Sequence, residues 1–313
     1  MTSKALKASL ISVVLLALVI WMAGLGRIDL SAVRPVLLIP ALAAYLAVLV
    51  LRAALLRLLS RRSDANRSGA DTVAPAPYLR WLSLAARHQF VFTLAPSGAG
   101  DLAFPLLAGR HVGLDTLPAA RLIADMRLRD IMAIIGLGGL GLVGSGHAPW
   151  PVLLGSALAG AALYWSDLAM SKLAALVHWL RPNRPNLSPA PIRIAPSALQ
   201  RLSVAGLVLV IWLMASGGVA SGFAAAGHPL SLFDAWIMLA GLNVAGALAM
   251  SVAGLGVAEA GATGVLVFLG MPLAEAAAVA IIARPLLLLS SSAACGVIEV
   301  TLRVLPRSAG LPQ

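Results

Sequence analysis

The chain is poor in the residues on which soluble enzymes and metalloproteins rely. It has a single cysteine, Cys295, set inside an apolar run, so no intrachain disulfide can form. Its five histidines (His88, His111, His147, His178 and His228) are scattered, and no two have the spacing of metal ligands. Neither a metal nor a cofactor is expected. Charged residues fill only 11% of the 313 positions against 60% hydrophobic, and the mean hydropathy is +0.94. No soluble globular domain of this size carries that balance, so the composition predicts a polytopic membrane protein. The N-terminal apolar stretch, from about Leu10 to Leu25, follows Lys4 and Lys7 but has no small-x-small cleavage site. It reads as a first span left uncleaved.

Acids are scarce as well, 12 against 23 Lys and Arg, which gives a net charge of +11. A nucleic-acid partner would need those arginines on one basic face, and they are not arranged so. They cluster in short segments between apolar runs, at 57–80 (Arg57, Arg61, Arg62, Arg67, Arg80) and 181–201 (Arg181, Arg184, Arg193, Arg201), with Arg303 and Arg307 in the tail. The turns at 144–151 and 226–231 have no Lys or Arg. The positive-inside rule then puts the basic loops and both termini in the cytoplasm and the two turns outside. The sequons at Asn66 and Asn186 fall on the cytoplasmic side and are discounted.

Plain apolar runs of spanning length occur at about 6–25, 35–58, 151–170, 202–226, 233–253 and 285–302. Regions 82–146 and 254–284 are apolar but interrupted by Gly, Pro and charge. Trp21, Trp81, Trp150, Trp179 and Trp236 lie near span ends, as in an aromatic belt. The two halves, about 1–147 and 148–303 with a short tail at 304–313, show the same order of elements in opposite orientation. That is the pattern of an inverted-topology repeat within one membrane domain. Sequence details run parallel: Gly98, Gly100 and Asp101 stand opposite Gly254, Gly256 and Glu259, the acid being two residues later in the second half, which requires an indel or a shifted helix start there. Gly113 and Gly270 each precede an arginine, Arg127 and Arg284, by 14 residues, with alanine pairs at equal offsets between.

The segments "PSGAGDLAFP" (96–105) and "SVAGLGVAEAG" (251–261) have the composition of a broken membrane helix, in which freed backbone groups must find protein or water. A helix restarting after such a break aims N–H groups and a positive dipole end at it, a natural anion site. Close helix packing through small residues is the plainer reading. Arg284 stands alone in "AAAVAIIARPLLLLS". An arginine at the bilayer centre costs about 2.5–3.5 kcal/mol, so it should face a carboxylate such as Glu259, a lipid phosphate or a wet cavity, unless it snorkels to an interface. "RLIADMRLRD" (121–130) offers an Arg121–Asp125 and an Arg127–Asp130 pair, which solvated helix pairing would also explain.

Two formal motifs fail on context. "GLGGLG" (136–141) has no strand before it and no βαβ unit, so it reads as a helix-packing face. Gly98-Ala99-Gly100-Asp101 matches the Gly-x-Gly-Asp core of intramembrane aspartyl proteases, but no Tyr-Asp partner exists to complete the dyad that chemistry requires. Asp167 and Asp234 are the remaining candidates, near span ends.

The segment 95–130, "APSGAGDLAFPLLAGRHVGLDTLPAARLIADMRLRD", and the segment 251–284, with its Gly-Leu-Gly-x-x-Glu core, resemble the two signatures of a bacterial family. It comprises the lysylphosphatidylglycerol synthase transmembrane-region, or flippase-like, proteins. The resemblance covers roughly 30–300. It implies a lipid-handling domain of the bacterial inner membrane, in some members fused to an enzyme that aminoacylates phosphatidylglycerol. No room for that enzyme is expected before Gln313. Asp101 replaces the usual Glu, and Phe104 stands where an Arg often follows, leaving Arg110 to supply a headgroup contact there.

The expectation is an all-α protein of about eight spans, not an enzyme, that flips a lipid or lipid-linked headgroup between leaflets. Its site would comprise Gly98, Gly100, Asp101, Arg110, Arg127, Asp130, Gly254, Gly256, Glu259 and Arg284. A non-transporting partner of a lipid- or glycan-modifying enzyme is the alternative reading, and the protease is a remote one.

Overall fold

A computed structural model describes residues 14–24, 30–65, 76–95, 99–168, 170, 172, 196–248 and 255–304. The described residues are helical, without a strand. The main helices are α1 (Val14–Ala23), α2 (Leu38–Ala65), α3 (Tyr78–Leu94), α4 (Ala99–Val112) and α5 (Thr116–Gly144). They are followed by α6 (Val152–Tyr164), α7 (Ala198–Ala225), α8 (Leu232–Leu248), α9 (Val257–Phe268) and α10 (Leu273–Val304). Three stretches are long and apolar enough to cross a membrane: Pro35–Arg61, Ala198–Ala225 and Leu273–Val304. Outward-facing leucines such as Leu102, Leu154 and Leu158 are at least 60% exposed, an arrangement that favours aggregation in water and suits contact with lipid. The chain is an all-helical, polytopic membrane protein.

The element order runs twice. Helices α2 and α7 have 28 residues each, and α3 and α8 have 17 each. The short helices α4 and α9 have 14 and 12, and α5 and α10 have 29 and 32. Neighbours correspond too: α3 packs on α4 as α8 does on α9, α5 on α8 as α10 on α3, and α2 lies against α7. Gly113 and Gly270, which follow the two short helices, have φ of +74° and +96°. Glycine reaches that left-handed region without a Cβ penalty, which lets both helices end in a sharp turn.

Several boundaries differ from the sequence reading. The expected span at 285–302 is the second half of a helix that starts at Leu273 and runs through Arg284 and Pro285. The alanines before the proline keep it helical, because Ala276, Ala277, Ala280 and Ala283 are fully buried. Helix α8 covers the expected span as far as Leu248, and residues 249–254 lie outside the described ones. Trp21 and Trp150 are exposed at helix ends as a belt requires, but Trp81 is buried in the core, packed with its neighbours on α3. Trp179 and both sequons lie outside the described residues.

The "GLGGLG" segment is a two-sided packing face within α5. Gly136 and Gly139 meet Ser156 of α6, while Gly138 meets Ala240 and Gly141 the backbone of Phe233, both on α8. A Cβ at Gly138, Gly139 or Gly141 would clash with those atoms, so the glycines set how closely three helices approach.

Candidate functional site

Helix α3 stops at Leu94 because Ala95 turns extended, at φ −78° and ψ 158°. Helix α4 restarts at Ala99, which places Gly100 and Asp101 in its first turn. A Cβ on Gly100 would strike the backbone of Phe92, so only glycine lets α4 fold this closely against α3. Pro105 within α4 has no N–H to give the Asp101 carbonyl, so that hydrogen bond is missing from the helix. Gly98 lies outside the described residues.

Asp101 is gripped by Arg127 from α5. The guanidinium donates from Nε to Oδ1 and Oδ2 at 3.0 and 2.9 Å, and from Nη2 to Oδ1 at 2.7 Å. His88 Nε2 lies 3.2 Å from the same Oδ1, and its ring stands edge-on to Phe104 at 5.0 Å. The Arg127 guanidinium also sits over the Phe92 ring, 4.1 Å from its centre. His88 is buried at 3% exposure, whereas the side chains of Asp101 and Arg127 remain 30% and 25% exposed. The acid and its arginine are therefore much more open to the outside of the bundle than the imidazole behind them.

Arg127 Nη1 reaches Asp130 Oδ2 at 3.4 Å, so the i,i+3 pair of the sequence forms, but not as a solvated one. Asp130 is 2% exposed. It accepts from Arg52 Nη1 at 2.7 Å on both oxygens and from Trp212 Nε1 at 2.9 Å on Oδ1. Arg52 is the fifteenth residue of α2 and Trp212 the fifteenth of α7, so equivalent positions of the two longest matched helices converge on one carboxylate. Sequence reasoning passed over Arg52, His88 and Trp212. Arg52 carried a usable signal, since it interrupts "YLAVLVLRAALL" just as Arg284 interrupts its own run.

Next along α5, Arg129 is 1% exposed and bridges Asp125 Oδ1 at 3.0 Å and Asp167 Oδ1 at 2.6 Å. Arg201 lies 3.9 Å from Asp167. This second network ties α5 to the segment after α6 and to the start of α7. It also argues against solvated pairing at the C-terminal end of "RLIADMRLRD", where Arg129 and Asp130 are interior, while Arg121 at the other end is exposed.

At the second break Gly256 has φ +83°, and helix α9 begins at the next residue. Glu259 is 2% exposed and bends back to accept the Gly256 N–H on Oε2 at 2.6 Å. The carboxylate caps its own helix and fills the anion position that the dipole creates. Gly254 lies outside the described residues. Arg284, the twelfth residue of α10 as Arg127 is of α5, interacts electrostatically with Glu259 and with Tyr45 of α2. Tyr45 and Arg52 are seven residues apart on α2, which puts them on one face about 10 Å apart along the axis. That face of α2 carries Arg52 onto Asp130 and brings Tyr45 within electrostatic range of Arg284.

Arg110 does not join either group. It is exposed in the last turn of α4, about 13 Å along the helix from Asp101, so the geometry gives it no contact with that acid. No aspartyl dyad forms either: Arg127 occupies both oxygens of Asp101, Asp167 is held by Arg129, and Asp234 accepts from Ser231 at 2.6 Å. Among the described residues no group of His, Cys, Asp and Glu could hold a metal ion.

The chain matches the lysylphosphatidylglycerol synthase TM region family over residues 8–295. A match over that much of the sequence shows that the chain belongs to this family, a group of membrane domains associated with lipid modification or flippase-like function. No curated protein and no solved structure matches it.

Proposed function

We propose that the protein moves a lipid or lipid-linked phosphate headgroup between the leaflets of the bacterial inner membrane, with its basic loops and termini in the cytoplasm. Family membership supports the lipid class. The observation that carries the reading is the repeated pairing of an acid at the third position of a restarted helix with an arginine at the twelfth position of the next. Asp101 and Arg127 form it as an ion pair in the first half, while in the second Glu259 and Arg284 hold the matching positions and interact electrostatically. Guanidinium groups bind phosphate bidentately, and nearby carboxylates keep them neutralised while no headgroup is present. In this account the halves are inverted repeats, and the face of α2 between Tyr45 and Arg52 lines a path from one arginine to the other.

A non-transporting scaffold would need glycine-rich faces free to dock an enzyme. The most prominent of them, 136–141, is used within the chain against α6 and α8, which favours transport.

The test is a leaflet-resolved assay in proteoliposomes, following the accessibility of a fluorescent phosphatidylglycerol to an external quencher. Arg284→Ala and Glu259→Gln should lose lipid movement while inserting into the membrane as the parent protein does. Undiminished movement in both variants sinks the proposal.

A further inference from the structure

The charges around Asp101 form a closed set. Arg52 comes from α2, Asp101 from α4, Arg127 and Asp130 from α5, and His88 from α3. The charged groups that act on His88 are Asp101, Arg127 and Arg52. With the imidazole neutral, two guanidinium cations face two carboxylates and the cluster has no net charge. A proton on His88 leaves three cations against two anions. The interior of a membrane protein does not tolerate an uncompensated charge, so the protonated cluster requires an anion.

From this geometry we infer that His88 and Asp101 form the binding site for a coupling proton, and that taking up the proton readies Arg127 for a phosphate. The inference rests on the headgroup reading above and adds the coupling ion to it. The neutral ring donates its Nε2 hydrogen to Asp101, since an ionised carboxylate only accepts. The additional proton, drawn from water, therefore goes to Nδ1. His88 and Arg127 share Asp101 Oδ1, at 3.2 and 2.7 Å, so a positive imidazolium competes with the guanidinium for that oxygen. Arg127 is then less tightly held and, being 25% exposed beside Phe92, is open to a phosphate oxyanion. One proton and one negative charge bind together, so the loaded state is electroneutral. On release His88 returns its proton to water, Asp101 recaptures Arg127, and the phosphate is displaced.

The glycine at 100 fits this account. By letting α4 lie directly against Phe92, it holds Asp101 close enough to serve the histidine and the arginine at once.

The test is calorimetric titration of the purified protein in detergent with dihexanoyl phosphatidylglycerol, in two buffers of different ionisation enthalpy. The difference between buffers counts protons taken up on binding. About one proton per lipid is expected for the parent protein near neutral pH, and about none for His88→Gln or Asp101→Asn. Asp101→Asn should also bind about tenfold more tightly at alkaline pH, because the competing carboxylate is gone. Glycerol 3-phosphate, titrated in parallel, separates a lipid headgroup from a free phosphate as the ligand. Lipid binding without proton uptake in the parent protein overturns the coupling alone. Binding of neither compound overturns the headgroup reading, and the coupling with it. Proton uptake that persists in both variants assigns the proton elsewhere and also overturns the proposal.

Discussion

Each helix break sets an acid in the first turn of the restarted helix and an arginine at the twelfth position of the helix that follows, and the two use them differently. In the first, Asp101 spends its oxygens on Arg127 and His88, and a second acid, Asp130, draws in Arg52 and Trp212. In the second, Glu259 turns onto its own backbone at Gly256, and the position matching Asp130 is the buried Leu287. One additional methylene makes the difference physically possible. Glutamate at the third helical position can reach back to the N-terminal N–H, whereas the shorter aspartate at Asp101 projects toward the neighbouring helix. The first break is a multi-helix ion cluster, and the second is a self-capped helix end with an arginine nearby. The repeat thus offers two arginines of equal register whose neutralising acids hold them to different degrees.

The largest effect should come from removing the acid that only the first half possesses. Asp130→Ala leaves Arg52 buried without its carboxylate, and breaking a buried ion pair costs about 3–5 kcal/mol. Thermal unfolding in detergent should show a strongly lowered midpoint, and a parent-like midpoint would deny the cluster its structural role. Gly100→Ala comes next, at about 1–3 kcal/mol, because the new methyl meets the backbone of Phe92 and forces α3 and α4 apart. The same midpoint measurement checks it.

Glu259→Ala removes a helix cap and should cost about 1 kcal/mol, while Glu259→Gln keeps an acceptor for the Gly256 N–H and should cost less. If the two variants unfold alike, the capping account of the second break is wrong. The smallest effect is expected at Arg110, exposed at the far end of α4. Arg110→Ala should leave both stability and lipid movement unchanged, and a loss of movement there would return this residue to the site.

The matching order of elements was readable because its signals are local. Positive-φ glycines at 113 and 270, and arginines 14 residues after each, follow from turn chemistry and from the rarity of charge in apolar runs. Helix content and membrane class were legible for the same reason. The cluster was not, because its members are distant in the chain: Arg52 lies 78 residues from Asp130, and Trp212 lies 82. Pairings at that separation depend on which helix faces pack, which composition and spacing do not encode. His88 was hidden differently. It is close to Asp101 in sequence, but an isolated histidine on an apolar helix gives no hint that the chain folds back at Ala95 to bring the two together. Glu259 stood out in the sequence as a charge beside a helix break but not as a cap, since the restart of α9 at Val257 decides that role.

The central claim is that both arginines serve one lipid phosphate path. A structure of the protein in lipid nanodiscs tests it most directly. The account predicts headgroup density with a phosphate oxygen about 2.7–3.2 Å from the Arg284 guanidinium, or from Arg127 once Asp101 is replaced by Asn. Lipid confined to the outer surface of the bundle, with both guanidinium groups contacting protein alone, would contradict it.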